Sequence, residues 1–165
     1  MTCAPDLVAR ATELVAEFTR RDLSVTTAES CTGGLVAAVI TEVPGASAVF
    51  DRGFVTYTNA AKSEMLGVPA PLILEYGAVS EEVARAMADG ALARSHADLA
   101  VSITGIAGPS GGTPEKPVGT VCFAVAMKGT ATRSWTRHFA DRGRGLVREE
   151  AARFALGLLM EAAGP

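Results

Sequence analysis

A carboxylate, a hydroxyl and a thiol stand side by side at Glu29-Ser30-Cys31, followed by Thr32-Gly33-Gly34. The stretch follows a short β-like run, Val25 to Ala28, and opens a helix-like apolar run. Two glycines let the backbone turn sharply and let a ligand come close. N–H groups at such a turn can steady a developing oxyanion. A serine hydroxyl is almost fully protonated at neutral pH and needs a base, most often a histidine held by a carboxylate. The chain has only His96 and His138, and neither adjoins a motif. Lysine is the other option, and Lys62 follows Tyr57-Thr58-Asn59-Ala60-Ala61. An ordinary lysine, with a pKa of about 10.4, is neutral in only about one of a few thousand copies at pH 7. Burial or a cationic neighbour raises that fraction.

On residue type alone, Lys62 reads first as a solvated helix lysine and Tyr57 as a strand core residue. Cys31 is the rival nucleophile, because a thiol at a helix N-terminus has a lowered pKa. Its plain role is a small buried hydrophobe. Chemistry alone does not separate Ser30 from Cys31. Glu29 would orient a cation or a substrate amide, or serve as a first-turn charge.

A second glycine-rich segment, Thr104 to Gly119, holds five glycines and three prolines in sixteen residues. That density predicts a loop, and a loop this long in a compact domain is usually functional or disordered. Its start, Thr104-Gly105-Ile106-Ala107-Gly108-Pro109, can present N–H groups to an anion. It is neither a Walker A loop, since no Gly-Lys-Ser/Thr follows, nor the dinucleotide G-x-G-x-x-G. Arg142, Arg144 and Arg148 surround the start of the last predicted helix, where an inward one suits a phosphate or carboxylate. No His, Cys, Asp or Glu cluster has metal-ligand spacing, so no metal and no cofactor are expected.

The elements that must position these groups follow from periodicity. Helices are predicted over 5–21, 33–41, 59–66, from Pro69 to near Gly77, from Ser80 to Ser95 or His96, and over 146–160. Asn59 is expected to cap the third, and Gly67 to stop it. Strands are predicted near 25–28, 49–58 and 99–103, then as a hairpin of 120–127 and 132–139 around Lys128-Gly129. This order implies an α/β fold with a mixed sheet covered by helices on both faces.

The chain has 165 residues, 48% of them hydrophobic and 5% aromatic, enough for one domain with an aliphatic core. A formal charge of −3 argues against a nucleic-acid footprint. No apolar run approaches the roughly 18 residues a membrane span needs. The three cysteines, Cys3, Cys31 and Cys122, are widely spaced, which suits a reducing compartment. The start, Met-Thr-Cys-Ala-Pro-Asp, lacks a leader's basic-then-apolar layout. A cytoplasmic protein of one domain, residues 1–165, is expected.

Taken together, the segments resemble the CinA C-terminal domain family, the nicotinamide-nucleotide amidohydrolases. The matching stretches are Thr27 to Gly34, Gly53 to Lys62, Gly77 to Ser80, Ser102 to Gly112, Lys116 to Val121, and Asp141-Arg142. The resemblance implies a three-layer α/β/α sandwich in its stand-alone form. It implies hydrolysis of nicotinamide mononucleotide to nicotinate mononucleotide and ammonia. Ser30 would be the nucleophile and Lys62 its base, with Tyr57 nearby. The substrate would meet Glu29, Cys31, Thr32, Gly33, Gly34, Thr104, Gly105, Ala107 and Gly108, with Arg142 holding the 5′-phosphate. A small-molecule pyridine mononucleotide and a homo-oligomer are the partners it implies. The competing expectations are a catalytically silent nucleotide-binding module and a thiol enzyme using Cys31.

Overall fold

The computed structural model describes residues 3–165; Met1 and Thr2, part of the start read for a leader, lie outside the described residues. Five strands form one sheet: β1 (Val25–Glu29), β2 (Phe50–Val55), β3 (Leu99–Gly105), β4 (Thr120–Met127) and β5 (Arg133–His138). Their spatial order is β2-β1-β3-β4-β5. Strand β1 runs parallel to both β2 and β3, while β3–β4 and β4–β5 are antiparallel. This is the mixed sheet expected from the element order. The inner strands β1, β3 and β4 are buried on both faces, and the edges β2 and β5 are largely exposed.

From β1 the chain crosses to β2 on one side, and from β2 it crosses back past β1 to β3 on the other. Right-handed crossovers in opposite directions put their helices on opposite faces. One face carries α1 (Pro5–Arg20), α2 (Leu35–Thr41) and α6 (Arg144–Ala163) over a core with Phe18, Ile40, Phe123 and Leu159. The other carries α3 (Asn59–Leu66), α4 (Ala70–Tyr76) and α5 (Glu81–Ala93) over a core with Leu66, Val83, Met87 and Ala124. The α/β/α layering is thus present. Among the described residues, no helix is long and apolar enough to cross a membrane.

Several boundaries differ from expectation: β2 is Phe50–Val55 rather than 49–58, the last helix is Arg144–Ala163 rather than 146–160, and three others lie beside the serine turn. Thr58, not Asn59, caps α3: its hydroxyl accepts from the Ala61 N–H at 3.0 Å. Thr58 takes the extended cap conformation, φ −93° and ψ 161°, and Asn59 becomes the first helical residue. Helix α2 begins at Leu35 rather than Gly33, because Gly33 and Gly34 take φ values of +58° and +96° and form the turn itself. Strand β3 continues through Thr104 and Gly105, which pair with Cys122 and Val121. Gly105 suits a strand there because a Cβ would stand 2.7 Å from a Val121 side-chain carbon.

Candidate active site

Parallel strands present their C-terminal ends to one edge of the sheet, and the point where the chain departs to opposite sides leaves a crevice. Ser30 sits at that point, one residue past β1. Its N–H still donates to Ile103 O at 2.9 Å, and its carbonyl accepts from Gly33 at 3.0 Å. These two bonds fix the serine backbone between β3 and the glycine turn.

Lys62 comes from α3 on the opposite face. It is 1% exposed, not the solvated helix lysine its residue type first suggests. Its Nζ lies 3.1 Å from Ser30 Oγ, 3.0 Å from Thr56 O and 3.5 Å from Tyr57 O. Burial pushes its pKa below the ordinary lysine value. Cys31 is also buried, and desolvation pushes its thiol up to about 12. The thiol is therefore neutral at pH 7 and offers Lys62 no counter-charge. Two carbonyls can take both N–H groups of a neutral amine, leaving its lone pair toward the Ser30 hydroxyl.

Glu29 does not face the crevice. It is fully buried, and its carboxylate accepts from Val36 N–H at 2.9 Å and Ala37 N–H at 3.0 Å. It thereby occupies the first turn of α2, whose Leu35 N–H is taken by Thr32 O. The amide groups left without a backbone partner at the turn are those of Cys31, Thr32 and Gly34. Arg148, from α6, fixes the other side of the turn. Its Nε donates to Cys31 O at 3.1 Å and its Nη2 to Thr32 O at 2.9 Å.

The crevice has a volume of about 240 Å³ and brings together Ser30, Cys31, Tyr57, Lys62, Thr104, Gly105 and Ala107. Tyr57 lies beyond β2 and is 57% exposed, so it is a rim residue rather than a strand core residue. Its Oη accepts from Arg144 Nη2 at 2.7 Å, and Arg144 Nη1 donates to Gly108 O at 2.8 Å. Arg144 has no carboxylate partner among the described residues. Thr32, Gly33 and Gly34 shape the turn behind the crevice rather than lining it. The Thr32 hydroxyl is buried without a partner.

Arg142 does not line the crevice. It projects into solvent with 65% side-chain exposure and pairs loosely with Glu150 at 3.9 Å. The helix begins at Arg144, and the helical turn points 144 and 148 inward together while Arg142 precedes it. Asn59, Ala78 and Val79 also line the crevice, although the residue reading did not select them. The Gly77-Ala78-Val79-Ser80 stretch was the signal for Ala78 and Val79, and the Gly53-to-Lys62 stretch for Asn59.

The fold and the crevice define an α/β/α protein with a small polar pocket at the C-terminal edge of its parallel strands. The family model for the CinA C-terminal domain matches residues 8–163, and the chain belongs to that family. It is 53% identical over 141 residues to the nicotinamide-nucleotide amidohydrolase PncC of Shigella flexneri, covering 86% of this chain and 85% of that protein. It is 54% identical over 149 residues to a CinA-like protein of Akkermansia muciniphila, covering 90% of this chain and 36% of that one. The chain thus spans about a third of the length of such CinA-like relatives. The crystal structure of the competence/damage inducible protein CihA from Agrobacterium tumefaciens superposes with a TM-score of 0.95 at 48% identity, covering 98% of each chain.

Proposed function

We propose that this protein is an amidohydrolase that converts nicotinamide mononucleotide to nicotinate mononucleotide and ammonia, with Ser30 as nucleophile and Lys62 as base. The observation that carries it is the buried Lys62 amine set against the Ser30 hydroxyl at 3.1 Å. The similarity to a relative named for this activity supports the substrate class. A pocket of about 240 Å³ is smaller than the roughly 300–1,000 Å³ of drug-sized ligand sites, which suits a pyridine ring with the ribose phosphate at the mouth. Arg144 stands at that mouth without a counter-ion and suits the phosphate.

In this scheme neutral Lys62 takes the Ser30 proton as Oγ attacks the carboxamide carbon. Of the turn amides without a backbone partner, that of Cys31 belongs to a residue lining the crevice and is the donor available to the oxyanion. Collapse breaks the C–N bond, and the proton on Lys62 leaves with ammonia. Water then loses a proton to Lys62, cleaves the nicotinoyl ester and returns that proton to Ser30.

Ammonia release from nicotinamide mononucleotide by the wild type, lost in both Ser30→Ala and Lys62→Ala, is the expected result. Release that survives Ser30→Ala overturns the assignment of the nucleophile. Nucleotide binding without release by the wild type would instead mark a silent binding module.

A further inference from the structure

A second hollow lies on the α1/α6 face, between α1, α6 and β5, with a volume of about 380 Å³. Its residues are distinct from those of the crevice. Phe139, Phe154, Gly157 and Leu158 give it an apolar floor, and Arg10 and Arg137 stand over it. Arg137 packs against the Phe154 ring, its guanidinium carbon 5.0 Å from the centroid.

The charges around the hollow are unequally satisfied. Arg153 is held by Asp6 at 2.7 Å and by Glu150 at 3.0 Å. Glu161 is paired with Arg133 at 3.4 Å. Of the carboxylates lining the hollow, Glu150 is engaged by Arg153, itself a lining residue, and Glu161 by Arg133. Arg10 and Arg137 have no ion pair and no side-chain hydrogen bond among the described residues. Two unpaired guanidinium groups over one hollow favour an oxyanion that can accept from both.

Gly157 gives the second, independent sign. It lies in the interior of α6, where glycine costs about 1 kcal/mol relative to alanine. Packing does not require it, since beyond its chain neighbours and the helix's own backbone no atom stands within 4 Å of where a Cβ would be. The missing side chain instead leaves the floor of the hollow bare.

We propose that this hollow is a binding site for an organic phosphate with a planar apolar body. The phosphate is held by Arg10 and Arg137, and the planar part lies over the exposed backbone at Gly157, beside Phe139 and Phe154. The proposal does not depend on the amidohydrolase reading.

The test is calorimetric titration of the full chain with adenosine 5′-monophosphate, with adenosine and inorganic phosphate as separate arms. Saturable binding of the monophosphate is expected, weakened about tenfold or more when both charge-assisted contacts are lost in Arg10→Ala/Arg137→Ala. Gly157→Ala should weaken it too while leaving the melting temperature unchanged or higher, so that a lost site is not mistaken for a lost fold. Arg144→Ala should keep it. No saturable binding overturns the proposal. So does binding that Arg144→Ala abolishes and the groove variants retain, because the ligand would then occupy the crevice. Inorganic phosphate binding as tightly as the monophosphate overturns the organic-ligand assignment.

Discussion

Arg148 holds the carbonyl of Cys31 at 3.1 Å from 117 positions further along the chain. With its second bond to Thr32 O it fixes both carbonyls of the turn that follows Ser30. Arg148 itself does not line the crevice, so it acts as a positioning residue. Arg148→Ala is expected to lower kcat about a hundredfold, the scale of a misplaced reacting group, with KM little changed. Arg148→Lys should not restore it, because a single ammonium cannot reproduce the forked contact. Steady-state kinetics on both variants check this; a rise in KM alone would assign Arg148 to substrate binding.

The buried amine makes both activity and stability depend on pH. Burial lowers the folded-state pKa of Lys62 from its ordinary 10.5. Below the lowered value the folded chain carries a desolvated ammonium, and the cost of burial is fully present. Between that value and 10.5 the unfolded chain binds more protons than the folded one, so stability rises with pH. Above 10.5 both states are neutral. Wild type should therefore gain in melting temperature relative to Lys62→Met as pH rises through this window. Turnover should rise with pH at its lower end, as neutral Lys62 accumulates. A temperature difference that stays flat with pH would contradict a desolvated amine.

Cys31 is 5% exposed with its thiol pushed up to about 12, whereas Cys3 is partly exposed. Thiolate is the form that iodoacetamide alkylates, and it is scarce at Cys31 near neutral pH. Iodoacetamide at pH 8 should label Cys3 while activity persists, and Cys31→Ala should retain most of its turnover. Mass mapping of the alkylated cysteines alongside an ammonia assay decides it. Loss of activity in step with Cys31 labelling would restore the thiol-enzyme alternative.

Gly90 lies where α5 meets the end of α3. A Cβ there would stand 2.0 Å from Leu66 O. Glycine to alanine inside a helix is ordinarily favourable, but overpacking here should destabilise by about 1–3 kcal/mol. Because α3 carries Lys62, turnover should fall as well. Denaturant unfolding of Gly90→Ala measures the first effect; an unchanged midpoint would mean α3 shifts freely.

These two helical glycines show where sequence stops informing. Gly90 and Gly157 look alike in the chain, yet one is crowded and the other open. The layers were legible because burial imposes its own periodicity, as in Leu7, Ala11, Leu14 and Phe18 of α1. The glycine turn after Ser30 was legible because Gly33 and Gly34 permit a backbone that other residues resist. The inward arginines were not: a difference of two residues separates Arg142 from Arg144, and the phase depends on where α6 starts. Glu29 was ambiguous because its partners, Val36 and Ala37, come within reach only once the turn is made. Lys62 looked like a surface lysine until α3 was laid on the sheet. Its assignment as a base came from family resemblance, not from spacing.

The crevice is assembled from distant parts: Lys62 reaches Ser30 across 32 positions and Arg148 reaches Cys31 across 117. Contacts so far apart in the chain close late, after much loop entropy has been lost. During refolding, helical signal should therefore return before turnover does. A ribosome-bound chain that has not yet emerged past Arg148 would carry its serine and lysine but lack the clamp that orders the turn between them.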